Sequence, residues 1–489
     1  MNGTNNNLNQ NNNKNMNGTN NNLNQINNNI NEMINNMNMI QMNNGNMNQM
    51  NNMNMNQMNN MNMNQMNNII MNQMNNLNYM NNNAQIIQNN NNSNQINGNQ
   101  INKNVNFNTN QMKKFNIKEE DIKKYFTNVE DIFFPVIGLN NLGLTCYMSS
   151  TLQCLLHIPE LNNFFINIYP FYKEDLKIIN KEAETKGFLS KCYYDLVEQV
   201  KNKNNEATGK QNYFFYKKHY SASPEKFNVI LSNLNPQFAR YEMHDPKDLL
   251  LYLFQTMHEE LNYFGDKKLK KVPKCDQRKE EESYNFFKEV NVNLNLSIFS
   301  YLFYGVLKSC TICKQCNSVL YNFQYFKFLS FPINNFHHEK FNIYQGLKEF
   351  KQIEEMTGDN KLYCQNCKDL KDSLVSSIIY ETPPYLIINF DYGKDKKYKP
   401  YSIDFGQIID LTDFTDPNCL ERTYELIAVS THLGKSGNSG HYIAYCKDQH
   451  GLWHLFNDSS HSDCNFEEVK NNSPYLLIFK RIKNQNYNK

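Results

Sequence analysis

Residues Gly138-Leu-Asn-Asn-Leu-Gly-Leu-Thr-Cys146-Tyr-Met-Ser-Ser-Thr-Leu-Gln-Cys-Leu-Leu156 run from a glycine-punctuated turn into an apolar-periodic segment. Met148, Leu152, Leu155 and Leu156 recur at helical spacing, and the pattern stops before Pro159, which predicts a helix. Cys146 then falls in the first turn or just before it. Backbone amides at a helix start carry partial positive charge and favour the thiolate, the form that attacks a carbonyl. Asn141 lies five residues earlier. From there its side-chain amide can face the oxygen of a carbonyl under attack and hold an oxyanion together with the Cys146 backbone amide. A lone cysteine is more often a buried thiol than a nucleophile, so Cys146 needs partners elsewhere in the chain.

Candidate partners stand near the other end. Tyr424 to Gly434 has the pattern of a strand, 435–440 reads as a flexible loop containing two glycines, and His441-Tyr-Ile-Ala-Tyr445 opens a second strand. An imidazole at such a strand start is held by the sheet yet faces a cleft. A thiol nucleophile needs a base for its proton and an amide or carboxylate that fixes the imidazole tautomer. Asn457 fits the latter role, with Asp458 beside it. His432 and His454 are rival bases, but neither has the glycine approach of His441.

Two further motifs stand between these blocks. Cys313-Lys-Gln-Cys316 and Cys364-Gln-Asn-Cys367 are flanked by strand-like sequence and lie about fifty residues apart. Four thiolates suit a tetrahedral structural Zn2+ with no open coordination position. Cys310 precedes Cys313 at the same spacing and leaves the choice of four ambiguous. Asp245-Pro-Lys-Asp248, ahead of an apolar run to Leu261, reads as a helix start with Asp245 as N-cap.

The chain has 489 residues, twelve cysteines and a formal net charge of +2. With Lys and Glu mixed along the aromatic-rich part, no basic face advertises nucleic acid. No apolar run reaches the roughly 18 residues of a membrane span, and no apolar leader opens the chain. A reduced, cytoplasmic or nuclear location is therefore expected. Residues 1–112 are dominated by Asn, Gln and Met, too poor in large apolar groups to offset the entropy of ordering. They are expected to form a disordered arm; amide ladders would let it self-associate, although a tolerated Asn expansion explains the same letters.

Taken together, these blocks resemble those of the ubiquitin-specific proteases, papain-like deubiquitinases. Gly138 to Gln153 is similar to the family's cysteine box, and Gly440-His441-Tyr442 through Trp453, Phe456, Asn457 and Asp458 to its histidine box. Asp245 to Leu250 resembles a block whose acids face the basic tail of ubiquitin, and Tyr475 to Arg481 resembles the closing strand. The resemblance implies an α+β fold with palm, thumb and zinc-bearing fingers over 135–483, after a linker at 113–134 and before a short tail at 484–489. It also implies hydrolysis of bonds to the terminal glycine of ubiquitin by Cys146, His441 and Asn457, assisted by Asn141 and Asp458. Asp245 and Asp248 would face the ubiquitin tail, and ubiquitin or ubiquitinated proteins would be the partners. Three departures from the pattern are Leu144 for the usual Asn, Met243-His244 for a Gln pair, and Leu386 to Phe390 without the usual Lys-Arg.

Overall fold

Helix α1 (Cys146–Leu156) begins at the cysteine and ends before Pro159, as the apolar spacing predicts, yet all eleven of its residues are buried rather than one stripe of them. In this computed structural model the described residues are 135–172, 185–209, 220–238, 243–265, 269, 272–333, 340–392, 402–436 and 439–482. The arm, the linker and the tail lie outside the described residues.

Total burial of α1 follows from its surroundings. One side meets α4 (Pro246–Leu261), against which α2 (Phe188–Gly209) packs with α3 (Glu225–Leu234) on α2, and the other meets a large sheet; Leu152, Leu155, Val197, Leu231 and Leu253 share one core with Ala444 and Ile478. Ahead of α1, β1 (Gly138–Leu139) pairs in parallel with β2 (Ser221–Ala222). The start of α4 is built as read from sequence: Asp245 is extended, accepts from the Lys247 amide at 2.7 Å, and is followed by Pro246 at the first helical position.

After α5 (Glu280–Val290) and α6 (Ile298–Phe303) the chain runs out along β3 (Gly305–Cys313) and back along β4 (Val319–Phe326). It passes through β5 (Leu329–Pro332), β6 (Lys340–Asn342) and α7 (Ile343–Phe350). A second excursion follows through β7 (Glu354–Met356), β8 (Leu362–Cys364), β9 (Asp369–Lys371) and the long return strand β10 (Ser373–Glu381). Strands β4-β3-β10-β7 form a four-stranded sheet, and β8-β9 a separate hairpin. Tyr284 and Phe287 of α5 cover one face of that sheet against Phe323, Tyr325 and Tyr380. This extension carries all four knuckle cysteines and corresponds to the expected fingers.

Strands β11 (Tyr385–Asp391), β12 (Ser402–Asp404), β13 (Ile408–Asp410), β14 (Thr423–Ser436), β15 (Ser439–Lys447), β16 (Trp453–Asn457), β17 (Ser460–Cys464) and β18 (Pro474–Arg481) complete the chain. All but β12 join the large sheet, ordered β17-β16-β15-β14-β18-β11-β5 with β13 beside β14; β12 pairs with β6. Two-residue alternation assigns its faces. Leu476 and Ile478 of β18 point into the core around α1, whereas Leu477 and Phe479 join Phe331, Phe341 and Leu347 on the other side. With both faces covered, β11 and β18 read as continuous apolar runs rather than alternating ones. Burying each such Leu or Phe contributes roughly 1.5–3 kcal/mol.

The flexible loop expected at 435–440 is shortened by the strands on either side. β14 extends to Ser436 and β15 starts at Ser439, with a register shift between Leu433 and Ser436. At Gly440 a Cβ would sit 2.2 Å from His432 Nε2 and 2.7 Å from the Leu433 carbonyl oxygen. That glycine serves close packing within the ladder. Among the described residues no helix is long and apolar enough to cross a membrane.

Candidate active site

Cys146 sits at the first position of α1 and is 4 % exposed. Further along α1, Ser150 Oγ shares a 2.6 Å hydrogen bond with Ser430 Oγ of β14 and donates to the Ile443 carbonyl of β15 at 3.1 Å. These bonds seat the helix on the strand that carries His441, and the backbone amide of Tyr442 hydrogen-bonds the Cys146 sulfur. Burial pushes the Cys146 thiol up; the amides of Tyr442, Tyr147 and Cys146 itself pull against it, while the Asp458 carboxylate adds to the rise. Burial thus outweighs the helix-start preference for thiolate expected from sequence. A base is needed to take the proton.

His441 Nε2 lies 2.7 Å from Asn457 Oδ1 and 3.7 Å from Asp458 Oδ2. An amide oxygen only accepts, so Nε2 carries the hydrogen and Nδ1 is the basic nitrogen. Asn457 ends β16, and Ser460 Oγ donates to its carbonyl at 2.8 Å, which fixes the hairpin turn.

Asp458, in that turn, has φ +50°, in the left-handed region that Asn and Asp tolerate better than most residues. Its backbone oxygen accepts from the Leu139 amide at 2.8 Å. Gly138 permits this approach, because a Cβ there would lie 2.3 Å from the same oxygen. Asn141 Nδ2 donates to Asp458 Oδ2 at 3.0 Å. Its Oδ1 accepts from the Gly143 amide (3.1 Å), the Thr145 amide (3.3 Å) and Thr145 Oγ1 (3.1 Å). With the carbonyl committed to the turn, the second Nδ2 hydrogen is the one left to meet a ligand oxygen.

The rival histidines have other places. His432, 4 % exposed, is packed under Gly440 with its ring 4.7 Å from that of Tyr442, and burial lowers its pKa. His454 is wedged between Asp448 (3.4 Å) and Asp463 (3.0 Å).

The second acidic block reaches the same region. His244 packs edge-on against Tyr147, the residue after the cysteine, with ring centroids 5.3 Å apart. Besides capping α4, Asp245 accepts a hydrogen bond from the Tyr475 hydroxyl of β18. Burial raises the pKa of Asp245 against the pull of that hydroxyl. Asp248 is pushed up to about 6, first by burial and then by the charge of Asp245, with Asp391 adding to it. Asp391 is a part of this region that no motif in the sequence announces, and Tyr442 and Tyr475 stand in motifs that gave them no role here.

At the far end of the fingers, the β3–β4 turn supplies Cys313 and Cys316, and the β8–β9 turn Cys364 and Cys367. The two knuckles are built alike. In each, the residue after the second cysteine has positive φ (Asn317, +56°; Lys368, +54°) and its amide bonds the carbonyl of the first (2.9 and 2.7 Å). All four Sγ atoms lie within 4.8 Å of one another, as a single metal ion requires. Cys310 is not in this group; it lies within β3, opposite Tyr321 and Ser376.

The family model described as "Ubiquitin carboxyl-terminal hydrolase" matches residues 137–479, which contain all of these groups. The chain belongs to this family. It is 27 % identical over 351 residues to ubiquitin carboxyl-terminal hydrolase 2 of Rattus norvegicus, covering 70 % of this chain and 53 % of that protein. It is 28 % identical over 360 residues to ubiquitin carboxyl-terminal hydrolase 25 of Arabidopsis thaliana, covering 71 % and 47 %. The chain thus spans about half the length of the curated relatives it matches. Among solved structures, the SAGA Ubp8/Sgf11/Sus1/Sgf73 DUB module bound to ubiquitin aldehyde has a chain of similar fold, with TM-score 0.50 and 21 % identity over 71 % of this chain and 70 % of that one. Family and fold agree with the palm, thumb and fingers expected from the sequence.

Proposed function

We propose that this protein is a thiol-dependent deubiquitinase that hydrolyses the peptide or isopeptide bond after the C-terminal glycine of ubiquitin. The observation that carries the reading is the 2.7 Å bond from His441 to Asn457, which leaves Nδ1 as the base for a cysteine held at a helix start on the same strand pair. His441 Nδ1 takes the Cys146 proton, and Sγ attacks the glycine carbonyl carbon. The oxyanion is held by Asn141 Nδ2–H and the Cys146 amide; losing such a donor typically costs about 3 kcal/mol. Collapse expels the lysine amine with the proton returned by His441 and leaves a thioester. Water then attacks, again deprotonated by His441, and releases the ubiquitin carboxylate and the free thiol.

A propargyl-terminated ubiquitin probe tests the reading, since it adds covalently only to a competent nucleophile. An adduct on Cys146 together with release of rhodamine from a ubiquitin-rhodamine conjugate is expected. Labelling by a ubiquitin-like probe alone would redirect the substrate assignment, and labelling by neither would defeat the hydrolase reading.

Asp245 and Asp248 are proposed to meet the cationic tail of ubiquitin, and the charge of Asp391 adds to the rise in the pKa of both. Because Asp248 is pushed up to about 6, it gains a proton as pH falls through that value. KM should therefore rise between pH 7 and 5.5, and Asp248→Asn should flatten this limb while raising KM at pH 7.5. Stability moves in the opposite direction: a folded-state pKa above the unfolded one means that falling pH in this window favours the fold. A KM profile identical in wild type and Asp248→Asn would remove Asp248 from the tail site.

The metal of the fingers is proposed to be structural Zn2+. Four Zn–S bonds of about 2.3 Å imply sulfur–sulfur edges of about 3.8 Å. The Cys313–Cys367 and Cys316–Cys364 separations are 4.0 and 3.6 Å, in keeping with that edge. When bound, the ion would join the two knuckles and take no part in hydrolysis.

A further inference from the structure

We propose that His432 is a positioning residue for the catalytic base, a floor on which both neighbours of His441 rest; the assignment deepens the hydrolase reading above and rests on it. His432 stands directly opposite Tyr442 in the β14–β15 ladder, and Leu433 stands opposite His441. Its imidazole lies under Gly440, in the space a Cβ would take, and 4.7 Å from the Tyr442 ring. Gly440 and Tyr442 flank His441 in sequence. The amide of Tyr442 is in turn one of three amides that act on the Cys146 sulfur, and the first among them. One buried ring therefore sets the height of the strand on which the base is mounted and of the amide that meets the nucleophile.

The Tyr442 ring has a second aromatic contact. Tyr475 meets it in a T-shaped contact with centroids 5.5 Å apart, and the Tyr475 hydroxyl bonds Asp245 at the start of α4. The Tyr442 ring thus reaches across β14 to β18, both on the same side of β15, with His432 as its contact on β14. A planar ring suits this place: it fills the slot that the missing Gly440 side chain opens and presents a face to Tyr442. Removing it would leave a gap under Gly440 into which the strand can relax, and misplacement by about 1 Å can cost about 100-fold in rate.

The test is a double-mutant cycle between His432→Ala and Gly440→Ala in the full-length protein, read by steady-state kinetics on ubiquitin-rhodamine and by iodoacetamide alkylation of Cys146 across pH 5–9. His432→Ala is expected to lower kcat about 10- to 100-fold with KM within about two-fold, and to slow alkylation at neutral pH by displacing the base that ionises the thiol. Gly440→Ala should cost a similar factor in wild type, because its methyl meets the His432 ring. In the His432→Ala background the same methyl still meets the Leu433 carbonyl oxygen but no longer the ring, so its cost should fall at least about three-fold, a coupling that two independent losses of stability would not give. Should His432→Ala fail to fold, judged by its melting transition, His432→Asn retains a planar polar group and repeats the cycle. Unchanged kcat, an unchanged alkylation profile, or equal costs of Gly440→Ala in both backgrounds would each overturn the assignment. Alkylation needs no ubiquitin, so a wild-type protein inert to every ubiquitin substrate would sink the proposed function while leaving the role of His432 still measurable.

Discussion

Alanine at His441 is expected to lower kcat/KM on ubiquitin-rhodamine by about 10⁴-fold or more, close to the level left by alanine at Cys146, and the double variant should be hardly worse than either. Non-additivity of this kind marks groups that act as one unit. The expectation rests on two features of the site. Burial keeps the Cys146 thiol protonated at rest, so attack depends on a base. The 2.7 Å bond from Nε2 to Asn457 leaves Nδ1 to serve. Alanine at His454 should leave kcat/KM within a few-fold, because its imidazole is engaged with Asp448 and Asp463. Asn457→Ala should be milder than His441→Ala, since Asp458 Oδ2, 3.7 Å from Nε2, can take over part of the orienting role. Full activity in His441→Ala would refute the assignment of the base.

Features set by local rules were legible in the sequence. Helix α1 was marked by apolar spacing and a proline stop, α4 by its Asp245 cap, and the knuckles by paired cysteines in strand-like flanks. What the sequence could not supply was set by tertiary contact. The glycines around His441 read as a loop, but Gly440 is small because the His432 ring occupies the space beside it, which no pattern along the chain records. The helix-start argument for a thiolate held only for a solvated helix end, whereas this one is buried between two layers. Cys310 was indistinguishable from a metal ligand by spacing, and only the register of β3 with β4 and β10 separates it from the four that converge. Tyr475 and Asp391 likewise reach the acidic site from β18 and β11, far along the chain from Asp245.

Stripping the metal from the fingers should unfold the knuckles and raise KM for ubiquitin substrates far more than it lowers the reactivity of Cys146. Four thiolates within 4.8 Å repel one another strongly: at about 4 Å and an effective dielectric near 20, each pair costs about 4 kcal/mol. Without an ion they must bind protons, and two small turns, each with a residue at positive φ, lose the bond that joins them. Structural zinc in small finger peptides is worth about 10–16 kcal/mol, as much as the stability of many whole domains. The inner half of the fingers has its own apolar packing of Phe287, Val306 and Phe323. The base of the fingers, Leu307, Phe326 and Ile379, is anchored in the core of the large sheet, so loss of the metal should be felt at the tip and not propagate to α1. Zinc release on chelation, measured colorimetrically, should approach one ion per chain. Cys316→Ser and Cys364→Ser should abolish that stoichiometry, lower the melting temperature and raise KM at least ten-fold, while alkylation of Cys146 changes by less than about three-fold. Cys310→Ser should keep the ion, because its sulfur belongs to β3 and not to the cluster. A stripped protein with unaltered melting and unaltered KM would show that the knuckles hold themselves together without a metal.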